Sequence, residues 1–71
     1  MASTTRRLLA SRLRQLRKRY SYTQQMVAEK SGLDYKYYQT LEGKTPPNVT
    51  LDSLERLAKA FSLSPWRLLR P

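Results

Sequence analysis

Neither cysteine nor histidine occurs anywhere in this chain. The first absence excludes disulfides and thiolate metal sites. The second removes the commonest general base and metal ligand. Acids are scarce as well: five Asp and Glu stand against fourteen Lys and Arg, a formal charge of +9. Five carboxylates without a histidine or thiol leave no catalytic constellation, so an enzyme is the least expected class. No metal, no cofactor and no small-molecule ligand is expected. No run approaches the ~20 apolar residues that span a bilayer. The opening MASTTRR leads into charged sequence instead of an apolar leader. The 71 residues make one small domain with a core of about two layers.

What is present is positive charge, unevenly spread. Residues 1–20 hold Arg6, Arg7, Arg12, Arg14, Arg17, Lys18 and Arg19 and no acid. Such a helix could be a solvated face and nothing more. On a small domain it more often marks a polyanion partner. A membrane-surface helix fits poorly, because the apolar stripe of this segment is needed for a core.

Periodicity gives an all-α reading of five short helices. The first runs from Thr4 or Thr5 to Tyr20, with Leu9, Leu13, Leu16 and Tyr20 on one stripe. Thr23 caps a second helix whose Val27, Ala28 and Met26 are candidates to face inward, and Gly32 ends it in the left-handed region. Asp34 caps a third helix, 35–42, with Tyr38 and Leu41 toward the core, and Gly43 closes it. The segment GKTPPNV, 43–49, is the one real loop. Thr50 caps a fourth helix carrying Leu51, Leu54, Leu57, Ala58 and Phe61. Ser64-Pro65 starts a fifth, in which Trp66, Leu68 and Leu69 seal the core. Residues 1–5 are expected to form a flexible arm, and 6–71 a single domain. Two short helices joined at Gly32 form a helix-turn-helix, the arrangement that reads duplex DNA.

Over nearly its whole length the chain resembles the phage-repressor/Cro helix-turn-helix family, also called the xenobiotic-response-element type. The matching stretches are LASRLRQLR at 9–17, TQQMVAEKSGLD at 23–34, YYQTLEGK at 37–44, LDSLERLAKAF at 51–61 and LSPWRLL at 63–69. The resemblance implies a compact five-helix, lambda-repressor-like bundle whose third helix enters the major groove N-terminus first. It leaves no room for a separate effector domain. It also implies a cytoplasmic location, in a bacterium or on a phage genome, at the nucleoid.

Tyr35, Lys36, Gln39 and Thr40 stand at i, i+1, i+4 and i+5, which is one helix face, and are the candidate base readers. Lys36 can donate to guanine O6 and N7. Tyr35 can meet a sugar, a thymine methyl or a phosphate; Gln39 can read a base or run along the backbone. The resemblance gives Gln24 a phosphate and a buttressing role under the third helix. Thr23, Tyr37 and Lys44 are candidate backbone contacts, with Thr23 first a cap and Tyr37 equally able to brace its own helix. The resemblance pairs Arg17 with Glu42 in a largely buried bridge, and neither would be buried alone. Leu63, Trp66 and Leu69 offer a homodimer seam, although Trp66 could equally cap the core.

Three departures stand out. Ser21 occupies a place where the family often has glycine, so a strained or altered turn is expected. Met26 replaces a common acid. The loop to the fourth helix should be one residue longer than usual. The expected function is a sequence-specific, double-stranded DNA-binding transcriptional regulator of repressor type. The alternative is a protein-interaction module, such as an antitoxin holding a toxin.

Overall fold

A computed structural model describes residues 4–70. Its elements are α1 (Thr4–Arg19), α2 (Gln24–Ser31), α3 (Tyr35–Leu41), α4 (Leu51–Ala60) and a terminal 3-10 turn, Pro65–Leu69. The all-α expectation holds among the described residues, and the count of five helices is corrected to four. The last element spans five residues and hydrogen-bonds from Arg67 N to Ser64 O and from Arg70 N to Arg67 O. So short a piece lacks the length to propagate an α-helix, and i→i−3 bonds tighten it instead. Helix α1 already includes Thr4 and Thr5. Residues 4 and 5 of the expected arm are thus helical, and the rest of it lies outside the described residues.

Local capping explains the starts. Thr23 accepts from Met26 N, Asp34 from Tyr37 N and Thr50 from Ser53 N. Met26, half-exposed and not in the core, completes a capping box: Thr23 N–H donates to its Sδ at 3.4 Å. A thioether here takes the place of the carboxylate that usually closes such a box.

The ends of α1, α2 and α4 share one device. Tyr22 N reaches Arg17 O and Ser21 N reaches Lys18 O; Leu33 N reaches Ala28 O and Gly32 N reaches Glu29 O; Leu63 N reaches Ala58 O and Ser62 N reaches Lys59 O. Each is the paired closure of a Schellman motif, which needs a left-handed residue at its corner. The corners are Ser21 (φ 57°), Gly32 (φ 72°) and Ser62 (φ 56°). Only Gly32 takes that conformation without a Cβ penalty. The residue after each corner is apolar (Tyr22, Leu33 and Leu63) and all three pack on the core. Each chain reversal is thus tied to apolar burial.

The core draws on every element: Leu9, Leu13 and Leu16; Val27 and Ala28; Tyr38 and Leu41; Leu57, Ala58 and Phe61; and Leu68. Full burial of a side chain of the larger kind contributes about 1.5–3 kcal/mol. Three expectations fail at the periphery. Leu51 is 79% exposed and Trp66 57% exposed, and Tyr20 lies at the surface edge. Leu51 is the first residue of α4, before the helix reaches its packing partners. Tyr20 instead donates its hydroxyl to Phe61 O at 3.0 Å and sets its ring edge-on to Phe61.

Candidate nucleic-acid interface

The candidate site rests on one buried carboxylate. Glu42 follows α3 directly, and its side chain is 3% exposed. Arg17 approaches it with two parallel donors, Nε to Oε2 at 2.8 Å and Nη2 to Oε1 at 3.1 Å. Gln24 Nε2 donates to Oε1 at 3.1 Å, and the Tyr38 hydroxyl donates to Oε2. Arg14 donates to the Glu42 carbonyl, and Arg17 Nη1 to the carbonyl of Tyr22 at 3.3 Å. No buried side-chain nitrogen or oxygen is left unpaired among the described residues.

The titration behaviour follows from this geometry. Burial alone would raise the Glu42 carboxyl, but hydrogen bonds from Arg17, Tyr38 and Gln24 outweigh it and hold it below its usual value. The same bond to Glu42 raises the Arg17 guanidinium against the opposing effect of burial. Burial, and then the bond to Glu42, raises the Tyr38 phenol. All three groups therefore keep one protonation state near neutrality, and the cluster acts as a fixed strut.

That strut extends outward to α3. Gln39 Nε2 donates to Gln24 Oε1 at 3.3 Å and to the Tyr35 hydroxyl at 3.1 Å. A continuous hydrogen-bonded path thus runs from the buried pair through Gln24 and Gln39 to Tyr35 at the start of α3. Tyr35, Lys36, Gln39 and Thr40 are all exposed on one face, with Gln24 half-buried beneath. Thr40 donates back to Tyr37 O at 2.6 Å, so its hydroxyl faces outward as an acceptor only. Asp34, beside this face, spends its carboxylate on the cap of α3. Lys36 and Lys44 are exposed at the surface. Tyr37 is half-buried and reaches Asn48 O at 3.4 Å, pinning the loop that follows α3. Of the seam candidates, Leu63 and Leu69 are partly buried against the core, and Trp66 alone is widely exposed.

Sequence reasoning missed Tyr38, Gln24 and Arg14 as partners of Glu42. Tyr38 had a signal: it stands four residues before Glu42, the spacing at which helical neighbours meet. Arg14 stands one turn before Arg17.

The helix-turn-helix family profile matches residues 13–65. The chain belongs to the Cro/C1-type helix-turn-helix family. It is a DNA-binding transcriptional regulator. Solved structures agree in fold. A hypothetical transcription factor, NHTF from Neisseria, is 30% identical, with a TM-score of 0.86 over 94% of this chain and 76% of that one. The restriction-modification controller protein C.AhdI from Aeromonas hydrophila is 32% identical, with a TM-score of 0.85 over 93% of this chain and 98% of that one. A mutant of the controller protein C.Esp1396I is 26% identical, with a TM-score of 0.84 over 96% and 85%. No curated protein sequence matches the chain. No helix among the described residues is long and apolar enough to cross a membrane.

Proposed function

We propose that this regulator is sequence-specific, that it sets α3 into the major groove of duplex DNA, and that it binds a two-fold site as a homodimer. The observation that carries the reading is the hydrogen-bonded path from Glu42 through Gln24 and Gln39 to Tyr35. It holds the exposed face of α3 rigidly on the fold, and a rigid, pre-positioned face is what direct base readout requires. On this reading Lys36 donates to a guanine edge, and Thr40 presents an acceptor and a methyl. Tyr35 keeps its own O–H free for a phosphate or sugar while accepting from Gln39. Gln39 spends its N–H groups on Tyr35 and Gln24, leaving its carbonyl oxygen to face a base.

Backbone contacts position and base contacts specify. Gln24 and Thr23, at the start of α2, and Lys44, beyond α3, are the proposed phosphate contacts. Tyr37 fixes the loop that carries Lys44. Trp66 and Leu69 are the proposed centre of the dimer seam, since one helix reads too few base pairs to specify a site. Family dimers place two reading helices one DNA turn, ~34–36 Å, apart. Such a regulator works in the cytoplasm on the nucleoid, as a repressor that occupies its operator.

Selection from a pool of random duplexes, followed by sequencing, is the test. The expected result is an enriched site with two-fold symmetry. Its affinity should fall with a log–log salt slope of roughly −0.9 per phosphate neutralised. No enrichment over the starting pool overturns sequence-specific reading. Enrichment of a single asymmetric half-site, bound one to one in sedimentation, removes the dimer alone.

A further inference from the structure

Arg7, Arg12 and Arg19 of α1 take no part in the arrangement above. Arg7 and Arg14 are seven residues apart and so lie on one line of the helix, as do Arg12 and Arg19. The two lines are separated by about 140° at 3.6 residues per turn. Arg7 and Arg14 border a hollow shared with Glu42, Gly43 and Lys44, on the α3 side. Arg12 and Arg19 border a different cleft, of about 350 Å³, whose other wall is Arg67 and Arg70 of the terminal turn. In a 3-10 turn residues i and i+3 eclipse. Arg67 and Arg70 therefore share one side, Trp66 and Leu69 a second, and Leu68 is turned into the core. The cleft and the proposed dimer seam adjoin along this turn, since Arg67 and Arg70 of the cleft lie against the ring of Trp66.

We propose that this cleft is a docking site for an acidic, leucine-bearing peptide segment of a partner protein. Four guanidinium groups line it, with no carboxylate among the lining residues. Like charges so close repel one another until an anion arrives, and guanidinium forks match carboxylates in pairs. The arginines are partly pre-set. Arg12 Nε donates to Arg67 O at 3.4 Å, and the guanidiniums of Arg67 and Arg70 lie 5.3 and 5.8 Å from the centre of the Trp66 ring. Stacking against a ring holds a guanidinium while leaving its edge donors open.

The floor decides which polyanion fits. Its apolar lining is Leu16, itself buried, the partly buried Leu63 and Tyr20. Single-stranded nucleic acid needs an open aromatic platform on which to stack. Tyr20, 38% exposed, offers only part of its ring: it is 5.4 Å from both Tyr22 and Phe61, and its hydroxyl is bonded to Phe61 O. A duplex is a broad convex cylinder and meets protruding groups, not a leucine-floored cleft between two helical elements. An extended acidic segment fills both requirements, carboxylates to the rim and an aliphatic side chain to the floor.

The test uses the full chain and a dye-labelled peptide of alternating glutamate and leucine, followed by fluorescence anisotropy without DNA. Two double variants carry equal changes in net charge: Arg12→Glu with Arg19→Glu in the cleft, and Arg7→Glu with Lys44→Glu beside α3. Loss of contacts worth about 1.4 kcal/mol is a tenfold loss of affinity. The cleft variant should bind the peptide at least about tenfold more weakly and keep its preference for the selected duplex. The α3-side variant should bind the peptide as tightly as the unaltered chain and bind every duplex more weakly. A glutamine–leucine peptide should not bind. Equal weakening by both variants would mean that net charge alone attracts the peptide, and overturns the proposal. Displacement of the peptide by excess duplex from the α3-side variant would assign the cleft to nucleic acid, and overturns it equally. Neither outcome touches sequence selection by α3, which is read from the duplex pool.

Discussion

The two flanks of α1 carry the same residue type and are treated in opposite ways by the fold. On one flank Arg14 and Arg17 converge on Glu42, one on its carbonyl and one on its carboxylate. On the other, Arg12 and Arg19 face Arg67 and Arg70 with no acid beside them. The difference lies in desolvation. A buried carboxylate demands that every lone pair be occupied, so it recruits arginine, tyrosine and glutamine and fixes them. Arginines at a wet cleft incur no such cost and stay available. The sign and number of charges on a helix therefore say little about their work; the burial of what they face says most.

The strongest way to break the comparison is Glu42→Ala. It strands Arg17, and removing one partner of a buried pair costs about 3–5 kcal/mol. Thermal melting should show a collapse of Tm or no cooperative transition at all; a shift comparable to a surface substitution would refute the strut. Acid should act in the same direction. The folded carboxyl of Glu42 lies below its unfolded value. Its contribution is therefore complete above the unfolded pKa, about 4.3, and is lost as pH falls through the lower, folded one. Melting of Glu42→Gln across that range should lack this part of the pH dependence.

Next in size are changes on the reading face. Lys36→Ala should cost about 1–3 kcal/mol on the selected duplex and relax preference at one position. Gln24→Ala should weaken all duplexes together. Equal loss by Lys36→Ala on specific and random duplexes would reassign Lys36 to the backbone. Smaller again is Ser21→Gly. Its left-handed corner carries a Cβ penalty of roughly 1–2 kcal/mol, partly offset by glycine's greater freedom when unfolded. A gain of about 0.5–1 kcal/mol in denaturant melting is expected. A loss would show that Ser21 is unstrained. Smallest is Arg19→Ala on the open flank, where surface charge changes fall within about 0.5 kcal/mol. A cost near that of Glu42→Ala would erase the distinction between the flanks.

Legibility in the sequence follows the range of the interactions. Thr23, Asp34 and Thr50 stand as caps where their residue types suggested, because a cap is settled within three residues. Gly32 likewise announced the end of α2. Ser21 raised only a question, which the fold answers with φ 57°. Periodicity placed Leu57 and Phe61 inside and wrongly placed Leu51, since it records the phase of a helix and not where packing begins. It also promised a fifth α-helix from a segment long enough only for a 3-10 turn. The reading face was legible as a helix face. Its support by Gln24 came from the family resemblance alone, and the bond from Gln24 to Glu42 was not legible, because those partners lie 18 residues apart and meet only in the fold. The arginine cleft joins residues 55 apart, from Arg12 to Arg67, and left no local trace at all.

The exposed position of Trp66 has a spectroscopic consequence. It is the sole tryptophan of the chain. Intrinsic indole emission therefore reports on one side of the terminal turn and on nothing else. In the lone protein that emission should be red-shifted and open to collisional quenching by iodide, which the neighbouring positive charges of Arg67 and Arg70 concentrate there. Pairing of two protomers across Trp66 shields it and moves the emission to the blue, without any label on protein or DNA.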